Sequence, residues 1–149
     1  MRVFLDANVL FTAAHNPKGK AALVIKLGAE GLFQLATSAY AKEEARRNLE
    51  RKAPGCLTEF SRLLSKIRIV ADNPSIPSPA DLAEKDWPIY RAAHPCKANV
   101  LLTGDHRDFG FLMNAPELAN GLLIQPVADF LAPLGVSGLR LSPKRLRLN

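Results

Sequence analysis

The chain has 149 residues, 48% hydrophobic and 23% charged, which is long enough for one domain with a sizeable core and too apolar for intrinsic disorder. No uninterrupted apolar run approaches the ~20 residues needed to span a bilayer, so no membrane segment is expected. The two cysteines, Cys56 and Cys96, have neither metal-ligand spacing nor the density of a disulfide scaffold, and the formal charge of +6 favours a polyanionic partner, chiefly nucleic acid.

Val3-Phe4-Leu5 reads as a first strand with no basic-then-apolar leader before it, so a cytoplasmic protein is expected. Asn8 is placed to cap a short helix through Leu10 and Phe11. After the turn Pro17-Lys18-Gly19, the residues Ala21, Ala22, Val24, Ile25 and Leu27 recur at helical spacing. Residues 32–37 predict a second strand, and Ser38 caps the helix that carries Tyr40, Glu44 and Leu49 and stops before Pro54-Gly55. A helix over 58–66 and a strand over 67–70 follow. Residues 73–79, interrupted by Pro74, Pro77 and Pro79, form the clearest loop, but neither flank is self-sufficient, so a single domain is expected. A helix starting at Asp86 has to weaken by His94, because Pro95 disfavours helical geometry in the residue before it. Residues 99–103 are the most strand-like run, 122–124 a last strand and 127–131 a short helix. Residues 133–149 are rich in Gly, Pro and basic residues and read as a tail. Short apolar strands alternating with helices predict an α/β fold, a parallel sheet with helices on both faces. In such sheets ligands collect at the C-terminal strand ends.

Carboxylates stand where that rule matters. Asp6 closes the first strand and Asp105 closes 99–104, with Asp108 three residues on. Glu44 lies on the helix after the second strand, and Asp86 opens a later helix. A carboxylate at a buried strand tip is costly unless something positive meets it. Several such tips from distant parts of the chain point to one acidic pocket for a hard divalent cation. Mg²⁺ and Mn²⁺ take oxygen ligands; two ions ~3.5–4 Å apart clamp an in-line phosphoryl displacement, and one ion lowers the pKa of a bound water. Unloaded, such acids repel and raise one another's pKa. Asn8, Thr37, Ser38 and Thr103 are near enough in sequence to orient the acids or their waters by hydrogen bonding.

Each acid also has a plainer role: Asp6, Asp86 and Asp108 as helix caps, Asp105 as a turn residue, Glu44 as a solvent-facing residue with Glu43 its competitor. Their joint placement is the signal. Around them stand Arg46-Arg47, Arg51-Lys52, Arg62, Lys66 and Arg68, a basic surround for an acidic pocket. Arg46, Arg47 and Arg107 are the candidate nucleic-acid contacts.

The order and context of these residues resemble the PIN domain family, metal-dependent nucleases that include VapC-type toxins. The likeness runs through Val3-Phe4-Leu5-Asp6-Ala7-Asn8, then Thr37-Ser38 with Glu44 and Leu49, then Asp86, Ile89, Ala92 and Ala93. Its strongest part is Leu101-Leu102-Thr103-Gly104-Asp105-His106-Arg107-Asp108-Phe109. It extends through Ile124-Gln125-Pro126 and Ala128-Asp129-Phe130-Leu131, so it covers about residues 1–132 and leaves the basic tail of 133–149 outside. The resemblance implies a three-layer α/β/α sandwich around a mainly parallel sheet. It implies a Mg²⁺- or Mn²⁺-dependent ribonuclease that leaves a 5′-phosphate. Asp6, Glu44, Asp86 and Asp105 would form the catalytic acidic core, with Asp108 an accessory metal-binding acid and Glu44 fitting better than Glu43. It further implies an RNA substrate, an antitoxin partner and a homodimer built on exposed apolar residues of the early helices. Two readings compete. One is a PIN-like module that binds RNA or protein without cutting; the other is a haloacid-dehalogenase-like phosphatase, which would want a second aspartate where this chain has Asn8.

Overall fold

The computed structural model describes residues 1–71, 73–79 and 81–135. In β1 (Arg2–Leu5), Val3, Phe4 and Leu5 are all fully buried. An apolar run without alternation is the mark of a strand covered on both faces, and β1 is the centre of the sheet. The other strands are β2 (Gln34–Ser38), β3 (Arg68–Val70), β4 (Val100–Leu102) and β5 (Leu123–Gln125). They form a 5-stranded sheet in the order β3-β2-β1-β4-β5, every pair parallel. Val3 aligns with Leu35 on one side and Val100 on the other.

Helices fill the crossovers. They are α1 (Ala7–His15) and α2 (Lys20–Ala29) after β1, α3 (Ala39–Lys52) and α4 (Leu57–Leu64) after β2, α5 (Trp87–Ala93) before β4, α6 (His106–Phe109) after β4, and α7 (Val127–Leu131) after β5. The chain steps outward from β1 to β3, then crosses back to β4 and β5. Right-handed crossovers therefore place α1 to α4 on one face and α5 and α6 on the other. The packing agrees: α1 lies against α2, α3 and α4, α7 against α2, and α5 against β2. Strand order reverses between β1 and β4, which opens a crevice at their C-terminal ends.

Local chemistry sets the element ends, and two expectations need correcting. The cap of α1 is Asp6, not Asn8: Asp6 has extended backbone (φ −72°, ψ 163°) and its carboxylate accepts the Ala7 amide. The apolar surface expected on the early helices is not there. No large apolar residue of α1 or α2 is exposed, because both helices are covered by their neighbours in the layer. The predicted helix over 58–66 begins at Leu57 and ends at Leu64, and the strand predicted over 122–124 is shifted by one residue. The weakening at His94 is present, with α5 ending at Ala93. Gly28 lets α2 approach β2: a Cβ there would stand 2.5 Å from Leu35 Cγ. The 73–79 loop is tied to α5 by the Asn73 amide donating to Arg91 O at 3.1 Å and Arg91 Nε donating to Ile76 O at 2.9 Å. Among the described residues no helix is long and apolar enough to cross a membrane. Beyond Gly135 the predicted basic tail lies outside the described residues.

Candidate metal centre

The C-terminal ends of β1 and β4 place Asp6 and Asp105 on opposite sides of the crevice. Asp6 is 4% exposed and its carboxylate is held from three directions. The Ala7 amide donates to Oδ1 at 2.6 Å, while Thr103 Oγ1 and Asn8 Nδ2 donate to Oδ2 at 2.7 and 3.2 Å. Burial nevertheless dominates these bonds, and with repulsion from Glu44 and Asp105 it lifts the carboxyl from 3.8 to about 6. Asn8 ties the two strand ends together. Its Nδ2 also reaches Thr103 Oγ1 at 3.2 Å, and its Oδ1 accepts the Gly104 amide at 2.7 Å. Thr103 Oγ1 in turn accepts the Asp105 amide at 3.1 Å, so one hydroxyl fixes acids from both strands. Asp105 caps α6, its Oδ1 accepting the Asp108 amide at 3.0 Å.

The third side comes from the turn before α5. Asp86 is nearly buried, and its Oδ2 has no hydrogen-bond partner. Burial first, then the charges of Asp105 and Asp108, push its carboxyl up to about 7, against the opposing pull of Lys85. Asp86, Asp105 and Asp108 each present an oxygen within 4.8 Å of the others. Glu44 completes the ring from α3. Asp6, Glu44, Asp86 and Asp105 line one pocket of about 250 Å³ together with Asn8, Phe11, Thr12, Asn48, Lys52 and Lys85. A set of carboxylate oxygens, one of them buried without a donor facing it, could hold a hard divalent cation.

The predicted residues thus divide. Asp6, Glu44, Asp86 and Asp105 meet in the pocket, and Asp108 stands at its edge. Glu43 points elsewhere: it pairs with Arg46 at 2.6 Å on the outer face of α3, leaving Glu44 as the pocket residue. Arg46 is held between Glu43 and Glu50. Arg47 and Arg107 are exposed. Asn8 and Thr103 bond the acids as expected, whereas Ser38 and Thr37 serve the backbone. Ser38 Oγ accepts the Ala41 amide at 3.0 Å as the cap of α3, and Thr37 Oγ1 donates to Leu5 O at 2.7 Å. Their bonds fix the start of α3 and tie β2 to the end of β1, and through those elements they help to position Glu44 and Asp6.

Sequence reasoning overlooked Asn48 and Lys85 as pocket residues and named Lys52 only as part of the basic surround. Asn48 and Lys52 follow Glu44 at i+4 and i+8, so the helical period alone puts them on its face. Lys85 immediately precedes Asp86, and its Nζ lies 2.7 Å from Asp108 Oδ2. The Tyr40 hydroxyl donates to Lys85 O at 3.2 Å. Burial and the nearby charges of Glu44 and Asp86 raise that phenol's pKa.

Solved structures share this architecture. A chain in the structure of VapBC2 from Rickettsia felis, bound to a DNA fragment from their promoter, is similar over 85% of this chain and 98% of its own. The TM-score is 0.61 and the identity 14%. A chain of VapBC-1 from nontypeable Haemophilus influenzae is similar over 86% and 99%, with a TM-score of 0.56 and 15% identity. At such identities the likeness is one of fold, and the fold is PIN-like, as the motifs implied. No protein-family model matches the sequence, and no curated protein matches it.

Proposed function

We propose that the chain is a cytoplasmic Mg²⁺- or Mn²⁺-dependent endoribonuclease and the toxin of a toxin–antitoxin pair. The observation that carries the nuclease reading is the convergence of Asp6, Glu44, Asp86 and Asp105 on one pocket, with Asp108 beside it. Asp86, Asp105 and Asp108 would hold the ion, with Asp6 and Glu44 across the pocket. Bound there, a divalent ion supplies Lewis acidity to the phosphate and a water acidic enough to attack it near neutral pH. The protein's own work is positional. Asn8 and Thr103 lock the Asp6 carboxylate and the start of the Asp105 turn, so the acids do not have to reorganise as charge develops. RNA phosphates approaching this acidic centre need nearby cations, which exposed Arg47 and Arg107 and the pocket-lining Lys52 and Lys85 supply. The reading of an antitoxin partner draws on the two structural neighbours, both from VapBC structures.

Labelled single-stranded and structured RNAs are incubated with wild type and an Asp6→Asn/Asp105→Asn variant in Mg²⁺, Mn²⁺ or EDTA. Cleavage by wild type that needs metal and disappears in the variant is expected. Equal activity in both proteins would mean that these acids do not cut. RNA binding without cleavage would favour the non-cutting module. Co-purification with a small partner that abolishes cleavage tests the toxin role.

A further inference from the structure

Lys85 is the one cation in ion-pair contact with the acidic cluster among the described residues. Its side chain is 68% exposed, so the stem runs through solvent and only the ammonium enters, 2.7 Å from Asp108 Oδ2. Its backbone does not share that freedom: Lys85 belongs to the 3-10 turn over Glu84–Asp86, and its carbonyl is held by the Tyr40 hydroxyl. An exposed side chain on a fixed anchor is thus seated on the same carboxylate that closes the Asp86–Asp105–Asp108 group. A divalent ion among those oxygens would face this ammonium at short range. Metal and ammonium would then compete for the Asp108 carboxylate, and their mutual repulsion adds to that competition.

The geometry points to Lys85 as the pocket's resident counter-ion, displaced by the divalent metal and turned to the rim as a contact for an RNA phosphate. The inference rests on the metal-dependent nuclease reading above. While the pocket is metal-free, Lys85 offsets part of the repulsion among its acids. Once the metal is in place, it offsets most of the charge of the three carboxylates that hold it, and the released ammonium has an incoming polyanion within its sweep. Lysine suits this exchange better than arginine, because a compact point charge on a flexible stem is not committed to a two-pronged grip on one carboxylate.

The test compares wild type, Lys85→Met and Lys85→Arg as full-length proteins. Mn²⁺ affinity is measured by calorimetry, melting temperature without metal, and KM and kcat on one labelled RNA at saturating Mn²⁺. Methionine keeps the stem and removes the charge. It should bind Mn²⁺ about tenfold more tightly, the size expected when the metal no longer has to break the Lys85–Asp108 ion pair in a wet pocket. It should also melt lower without metal and raise KM more than it lowers kcat. Arginine should return the metal-free melting temperature toward wild type. Loss of a purely structural residue would weaken metal binding, so unchanged or weaker Mn²⁺ affinity in Lys85→Met overturns the counter-ion role. Tighter metal with unchanged KM overturns the phosphate contact. If wild type and Lys85→Met both bind no Mn²⁺, the metal reading itself has failed, which is distinct from failure of the lysine's role.

Discussion

Asp86 and Asp6 are the residues whose protonation sets the working range of the pocket. Asp86 titrates near 7 because burial and two neighbouring acids disfavour its charge. A metal that needs the carboxylate must therefore expel a proton below that pH. Mn²⁺ affinity is expected to tighten about tenfold per pH unit up to pH 7 and then level off, one proton being released per ion bound. Calorimetry from pH 5.5 to 8.5 measures it, and a flat profile would mean that Asp86 is not a ligand. Asp6 bears on stability. Its carboxyl is raised from 3.8 to about 6, so between those values the folded chain holds a proton that the unfolded chain has lost. The stability that Asp6 contributes without metal should accordingly be fully present below pH 4 and be lost as pH rises to about 6, roughly 3 kcal/mol from this group. Urea melts across that range isolate the contribution as the difference between wild type and Asp6→Asn: the variant should lose the part due to Asp6 and keep the part due to Asp86. Asp6 and Asp105 were legible in sequence because each closes an apolar run, and Glu44, Asp86 and Asp108 because of their order and context relative to those two. Lys85 and Asn48 were not, because a polar residue on a helix or turn has no apolar context to mark which way it points, and Lys52 was legible only as part of a basic surround.

Among the elements, α3 delivers Glu44, and Ser38 begins α3. Replacing Ser38 by alanine removes the acceptor for the Ala41 amide at 3.0 Å. The cost should be about 1 kcal/mol of stability, with weaker Mn²⁺ binding because the turn leading to Glu44 frays. Calorimetry and chemical melts on one preparation measure both, and an unchanged melt would mean the cap is not needed. The contact between α2 and β2 behaves differently. An alanine at Gly28 would press on Leu35 at the N-terminal end of β2, away from the acids. Overpacking of about 1–3 kcal/mol, less about 1 kcal/mol of gained helix propensity, should leave Gly28→Ala about 1 kcal/mol less stable with Mn²⁺ affinity intact. The elements themselves were readable, since their apolar periods and proline boundaries are local. What misled was the start of α1, where Asp6 and Asn8 both have capping side chains. Only the third dimension shows that Asn8 is spent on Thr103 and Gly104, 95 and 96 residues away.

For the whole molecule, a net charge of +6 coexists with an acidic cleft, so the cationic excess is carried outside it. That asymmetry should make RNA affinity fall steeply with salt. Arg47→Glu should weaken binding and lower the salt slope by about one unit, whereas Arg46→Ala, already paired with Glu43 and Glu50, should change it little. Fluorescence anisotropy between low and physiological salt distinguishes them; equal effects would remove Arg47 as a phosphate contact.

The hydrogen bond from Thr103 to Asp6 spans 97 residues. Its strand partners Leu5 and Leu102 align only once β4 has docked beside β1. During synthesis at roughly 5–20 residues per second, the chain therefore spends some 5–20 s with its first acid made and its last one not. In that interval the acidic cleft does not exist, and a growing chain has no site at which the proposed cleavage of RNA could reach the message that encodes it.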